Sequence, residues 1–259
     1  MAHASASAHL PFEASAMPVS AMAADYDDGH FIEPHSHRRA QLLYAVQGVM
    51  LVQTQAGRWV VPPSRGVWLE AGVAHSVRMR GQVRMRTVFI DTDAAAQLPG
   101  GSCVLHISPL LRELILAAVN IPLDYPRESR DGRLTRLLLD ELHTVPVLPL
   151  YLPWPSDARL RSVCERLAAA PGDTTTIAGW ARALAMSQAT FHRRFLRHTG
   201  MSFGRWRQQA RLLLALEHLA RGEKIIAVAA EHGYASQSAF TAMFRRHFGV
   251  APSLFYKGG

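Results

Sequence analysis

Ser236-Gln237-Ser238-Ala239-Phe240-Thr241-Ala242-Met243-Phe244-Arg245-Arg246-His247-Phe248-Gly249 reads as one amphipathic helix with a serine start and a glycine stop. Moved back 49 positions, it lies over Ser187-Gln188-Ala189-Thr190-Phe191-His192-Arg193-Arg194-Phe195-Leu196-Arg197-His198-Thr199-Gly200, and 7 of the 14 positions are identical. The match continues upstream, where Ile177-Ala178 and Ala181 align with Ile226-Ala227 and Ala230. A repeat of this kind is one supersecondary unit used twice.

Each copy predicts a helix, a short turn and a second helix, over about 176–200 and about 225–249. Phe191 and Phe195 stand four apart, as do Phe240 and Phe244, so each pair buries on one helix face. That leaves Gln188, Ala189, His192 and Arg193 facing outward in the first copy, and Gln237, Ser238, Thr241 and Ala242 in the second. In a helix-turn-helix unit the start of the second helix meets base edges in the major groove. Gln, His and Arg carry the donors and acceptors that such readout needs. Arg194, Arg197, Arg245 and Arg246 flank these faces, where they would meet phosphates. A helix predicted from Phe203 to Arg221 joins the copies and spans ~28 Å, against ~34 Å between successive major grooves on one side of DNA. The competing reading is a plain stack of helical hairpins, but such stacks usually need about three copies or more.

Charge separates the chain into two parts. Residues 1–151 hold 13 Lys/Arg against 14 Asp/Glu, whereas residues 152–259 hold 15 against 6, so the net charge of +8 resides with the repeat. A part this basic favours a polyanion, most often nucleic acid. The length of 259 residues suits two modest domains, and 49% hydrophobic residues suit globular cores. No apolar run reaches the ~18 residues of a membrane-spanning helix. Cys103 and Cys164 make neither a disulfide framework nor a cysteine zinc site, and a reducing cytoplasm is the expected location. Residues 1–24 contain no Lys or Arg, lack a signal-peptide pattern, and are read as a disordered lead-in.

From Asp25 to residue 98 the pattern is that of short strands: Gln41–Val46 ended by Gly48, then Val49–Thr54, Arg58–Val61, Gly66–Leu69, His75–Met79 and Val83–Ile90. Regular short strands point to a small barrel or sandwich. Over 99–150 two helices follow, one capped by Ser108 with Pro109 behind it, the other near Glu128–His143. Leu110, Leu111, Leu114, Ile115 and Ala118 form the apolar face of the first, and Leu134, Leu137, Leu138 and Leu142 that of the second. Val145–Pro155 carries four prolines and reads as an extended linker at a domain boundary near residue 151. The fold class expected is therefore α+β in two domains, with a β-barrel and two helices in front and an all-α domain over 151–259.

Ile225-Ile226-Ala227-Val228-Ala229-Ala230-Glu231-His232-Gly233-Tyr234-Ala235-Ser236-Gln237-Ser238-Ala239-Phe240, followed by Phe244-Arg245-Arg246-His247-Phe248-Gly249-Val250-Ala251-Pro252-Ser253, resembles the signature of the AraC/XylS family of transcription regulators over about 100 residues. Ala235 and Gln237 stand where that family often has Asp and Ser, and Lys257 where Arg is common. The resemblance implies sequence-specific reading of double-stranded DNA, with the second unit as the weaker reader.

In front, Gly29-x5-His35-x-His37-x3-Gln41-x6-Gly48 is similar to the first cupin motif, with Gln41 in place of the usual Glu. Glu70-Ala71-Gly72-x2-His75 is similar to a degraded second motif. The segment Arg38–Met50 resembles the NimR-type subgroup of the same regulators. The cupin resemblance implies His35, His37, Gln41 and His75 as metal or ligand contacts, with Zn, Ni, Fe or Cu suited to imidazoles. Two readings stand here, a divalent ion or an apolar sensing pocket with no cofactor. Trp59, Trp68 and Met79 suit either a pocket wall or plain barrel core. The two helices after the barrel suit either a homodimer contact or packing on the barrel. The expected protein is a non-enzymatic regulator controlled by a small-molecule or metal effector, dimeric, contacting RNA polymerase if it activates. The alternative is a cupin metalloenzyme with a nucleic-acid-tethering tail.

Overall fold

The computed structural model describes residues 9–255 except 64, 97, 99, 146, 149, 150 and 250. The chain divides into two compact units, one formed by residues up to Thr54 with Val61–Tyr151, the other by Gln55–Val60 with residues from Leu152 onward.

The first unit begins with α1 (Leu10–Glu13), β1 (Val19–Tyr26), β2 (Phe31–His35) and β3 (Ala40–Thr54). After β4 (Gly57–Val61), which up to Val60 belongs to the second unit, come β5 (Arg65–Leu69), β6 (His75–Ile90), α2 (Thr92–Ala95) and β7 (Cys103–His106). It ends with α3 (Pro109–Ala118), α4 (Arg130–Thr144) and β8 (Val147–Leu148). The sheet runs β1-β6-β3-β5-β7-β8, with β2 also paired to β6. The β3–β6 ladder is antiparallel and sets Gln41 opposite Phe89, Leu43 opposite Thr87 and Thr54 opposite His75. The β2–β6 ladder sets His35 opposite His75.

Strand alternation sends successive side chains to opposite faces. On one face Leu42, Tyr44, Val88 and Ile90 join a core with Leu111, Leu114, Ile115 and Ala118 of α3 and Leu138 and Leu142 of α4. On the other, Leu43, Val77, Met85, Thr87 and Phe89 line an interior cavity. The sheet thus separates a helix-covered core from a pocket.

Several expectations are corrected. The two strands predicted on either side of Gly48 are one strand, as are those on either side of Gly81. Gly48 looks like a turn in sequence but is a point where the β3–β6 register shifts. Its φ is +79°, and a Cβ there would sit 2.5 Å from the Gln82 carbonyl oxygen. The lead-in is ordered from His9 onward, while residues 1–8 lie outside the described residues. The buried guanidinium of Arg39 gathers this segment, donating to the carbonyls of Phe12 (3.3 Å), Ser15 (3.3 Å), Met17 and Pro18 (2.9 Å). The region from 99 onward is not purely helical, because β7 pairs with β5 and β8 with β7. Leu110 and Leu137 are 48% and 43% exposed rather than on the buried helix faces. The proline-rich segment carries β8 and β9 (Tyr151–Pro153), the latter paired with β4, while Pro146, Pro149 and Leu150 lie outside the described residues.

The second unit adds α5 (Ala158–Ala169), α6 (Ile177–Ala183), α7 (Gln188–Thr199) and α8 (Phe203–Ala220). It continues with α9 (Ile225–Glu231), α10 (Gln237–Phe248) and α11 (Pro252–Phe255). The helix starts are fixed by side-chain caps. Thr176, Ser187 and Ser236 accept from the backbone N–H of Gly179, Thr190 and Ala239 at 3.2, 3.2 and 3.1 Å. Gly200 and Gly249 end α7 and α10 at φ of 72° and 80°. Leu212 to Glu217 of α8 are all buried. Phe203 of the same helix meets Phe191 and Phe195 edge-on at 5.1 and 5.2 Å. The Trp206 indole donates to the Pro153 carbonyl at 2.7 Å.

Gly48→Ala should lower stability by about 2 kcal/mol or more, since it combines positive φ with a backbone clash. Urea unfolding of the full chain checks this; an unchanged midpoint would show that the ladder absorbs the side chain.

Candidate nucleic-acid interface and histidine pocket

The outward faces of α7 and α10 follow from burial. Phe191, Phe195, Phe240 and Phe244 are all 0% exposed. Gln188, Ala189, His192, Arg193 and Arg197 of α7 are consequently exposed. In α10, Gln237, Ser238, Ala242, Arg245 and Arg246 are exposed and Thr241 is half-buried. Arg194 is less available than its neighbours, because it pairs at 3.6 Å with Asp157, the N-cap of α5.

Not every arginine of the basic unit is free for phosphate. Arg207 donates to the carbonyls of Asp173 and Thr175, the latter at 2.8 Å. Arg211 donates to those of Pro171 (2.9 Å) and Asp173 (3.2 Å). Both belong to α8, so this helix clamps the loop that precedes the first helix-turn-helix. Gly172 in that loop lies so close to α9 that a Cβ would sit 2.4 Å from the Glu231 carbonyl oxygen. The two reading units therefore share one scaffold.

In the first unit, His35 at the end of β2, His37 in the loop after it, and His75 at the start of β6 bring their ligand atoms within 4.8 Å of one another. Gln41 of β3 lines the same cavity. All four predicted residues thus converge. The Nδ1 atoms of His35 and His75 face the carbonyls of Glu33 (2.7 Å) and Val73 (2.9 Å), and Nδ1 of His37 faces the Glu13 carboxylate at 3.4 Å. An acceptor at each Nδ1 holds the proton there and leaves the lone pair on Nε2. The buried Nε2 atoms of His37 and His75, and Oε1 of Gln41, have no partner among the described residues. This donor set fits a divalent ion, with each ring oriented by a second acceptor as metal-bound imidazoles are.

Sequence reasoning missed Glu13 and His9. His9 lines the cavity, and the Glu13 carboxylate also accepts from the Arg38 backbone N–H. A single carboxylate 24 residues before its histidine has no spacing that would reveal it. The cavity measures about 330 Å³, and its apolar wall includes Met22, Tyr26, Phe31, Leu43, Met85 and Phe89. Trp59, Trp68 and Met79 are buried but do not line it, so they are core.

Burial, with the nearby His35, pulls His37 down to about 4, against the opposing pull of Glu13. Burial likewise takes His75 to about 4. Both rings are neutral in the folded chain at pH values where the unfolded chain, near the ordinary 6.5, already binds protons. Stability from these two rings is therefore complete above about pH 6.5 and lost as pH falls toward 4. In chelator-treated protein the urea midpoint should drop between pH 7 and pH 5, and replacing both rings by Gln should flatten that slope. An equal slope in the double variant would contradict the assignment.

Residues 18–177 match the family model of the AraC-like ligand binding domain, and residues 180–258 match a helix-turn-helix domain family. The chain is 36% identical over 221 residues to the HTH-type transcriptional regulator NimR of Escherichia coli strain K12, covering 85% of this chain and 81% of that protein. It is 34% identical over 134 residues to the HTH-type transcriptional regulator RipA of Corynebacterium glutamicum, covering 52% of this chain and 38% of that protein. A structure of ToxT from Vibrio cholerae aligns with 93% of this chain and 98% of its own, at 11% identity and a TM-score of 0.39. With a ligand-binding domain in front of a helix-turn-helix domain, the chain belongs to the AraC family of transcriptional regulators.

Proposed function

We propose that this regulator is a cytoplasmic homodimer that reads double-stranded DNA mainly through the start of α7 and anchors through the start of α10. The observation that carries the reading is the pair of outward faces left by the buried phenylalanines. In α7 that face offers Gln188, His192 and Arg193, with Ala189 small enough to allow close approach. In α10 it offers Gln237, Ser238, Thr241 and Ala242, and Thr241 and Ala242, shorter than His192 and Arg193, reach fewer base edges. Arg197, Arg245 and Arg246 take phosphates, and Arg194 does so only by leaving Asp157.

The effector enters the cavity of the first unit. An apolar wall ending in imidazoles and an amide suits a small, largely apolar molecule with one polar end. The same three imidazoles with Gln41 would hold Zn, Ni or Fe, which would bind the polar end of an effector directly; the reading requires no cofactor and no catalytic step. The exposed Leu110 of α3 and Leu137 of α4 support a subunit contact on those helices. A contact with RNA polymerase follows if the protein activates. Control by the effector requires that it bind one state of the dimer or of the segment near Val145–Pro155 better than another.

Arg193→Ala should cost about 1–3 kcal/mol of affinity for the cognate site and relax the preference at one base position. Binding titrations against that site and against random DNA check this. Equal losses on both would make Arg193 a phosphate contact only.

A further inference from the structure

We propose that His218, Glu223 and Glu231 form a binding site for a divalent first-row transition ion within the second helix-turn-helix unit. His218 lies in the last turn of α8, Glu223 follows the turn at Gly222, and Glu231 ends α9. Nδ1 of His218 is 2.9 Å from Oε2 of Glu223 and 3.4 Å from Oε2 of Glu231. The three ligand atoms all lie within 4.8 Å of one another. Two carboxylate oxygens thus converge on one ring nitrogen, which has a single N–H to share between them. Arg221 approaches Glu223 on its other oxygen, Oε1, at 3.7 Å, so it does not occupy the oxygen that faces the ring. A cation between the three would satisfy all of them.

A second observation points the same way. The ring of His232 is fully buried and packs edge-to-face on His218 at 5.0 Å. Its Nδ1 faces the Val228 carbonyl at 2.8 Å, so its proton sits there. Its Nε2 lone pair has no partner among the described residues. A buried imidazole whose Nδ1 proton is held by a carbonyl and whose other nitrogen is open has the form of a metal-bound imidazole, and here it packs directly on the ligand ring of His218.

One nitrogen and two carboxylates suit Zn, Ni, Co or Mn rather than a thiolate-seeking ion. The ligands come from the end of α8, the turn and the end of α9. An ion there would staple the first helix of the second reading unit to the scaffold helix, and so fix how α10 is presented to DNA. The site shares no residue with the histidine pocket and stands or falls apart from it.

The test is equilibrium dialysis of the full chain, stripped with chelator, against buffered zinc, comparing the parent with the Glu223→Gln/Glu231→Gln variant. The two amides keep side-chain size on residues that are partly in solvent, and circular dichroism checks the fold. The variant should hold one equivalent of zinc less than the parent, whatever the histidine pocket takes up. Zinc should also raise the melting temperature of the parent by more than that of the variant. His232→Gln should weaken zinc at this site by about tenfold. Equal zinc content in the parent and the double variant would overturn the proposal.

Discussion

The burial of two phenylalanine pairs organises the DNA-binding half of this protein. Phe191 with Phe195, and Phe240 with Phe244, occupy the inward faces of α7 and α10. Each fully buried aromatic contributes on the order of 3 kcal/mol, enough to fix helix rotation against any preference of the exposed residues. What faces outward is then a consequence. Polar and basic side chains are placed at two helix starts, and serine caps hold those starts at defined residues. Between them α8 contributes buried leucines on its inner side and two arginines that clamp the loop before the first unit. The two helix starts therefore sit on a scaffold whose freedom is small, as readout within hydrogen-bonding distance of base edges would demand.

The first unit solves a different problem with a strand. Alternation along β3 and β6 places one residue set against helices and the other around a cavity. The cavity's polar end carries the rings of His35, His37 and His75, and burial suppresses the charge of His37 and His75. Each is oriented by a carbonyl or carboxylate on its far nitrogen. Such an end can bind a neutral polar group or a metal ion, and in both cases the partners left open at Nε2 and at the Gln41 oxygen are the ones that gain. Leaving a buried acceptor unpaired costs about 1–3 kcal/mol, so any group that pairs with these atoms recovers that cost.

The helix-turn-helix units were legible in the sequence because their determinants are local. Caps, phenylalanine spacing and glycine stops all act within about four residues. The histidines and Gln41 were legible through a motif, and the strand registers bring them together. What escaped was non-local. Arg39 orders the segment before it by binding carbonyls up to 27 residues away, and nothing in the composition of that segment announces it. Glu13 meets His37 only because of this ordering. Gly48 and Gly81 resemble turns, yet both sit inside strands with positive φ, at irregular points of a long ladder. Leu110 and Leu137 fit the helical periodicity but face solvent, because that pattern cannot say how wide a face its neighbours cover.

Guanine methylation protection on the bound operator tests the central claim most directly, because N7 lies in the major groove. Two heads on one α8 scaffold predict protected guanines in two successive major grooves on one side of the duplex, about one helical turn apart. Protection confined to a single groove, or spread evenly along unrelated DNA, would contradict it.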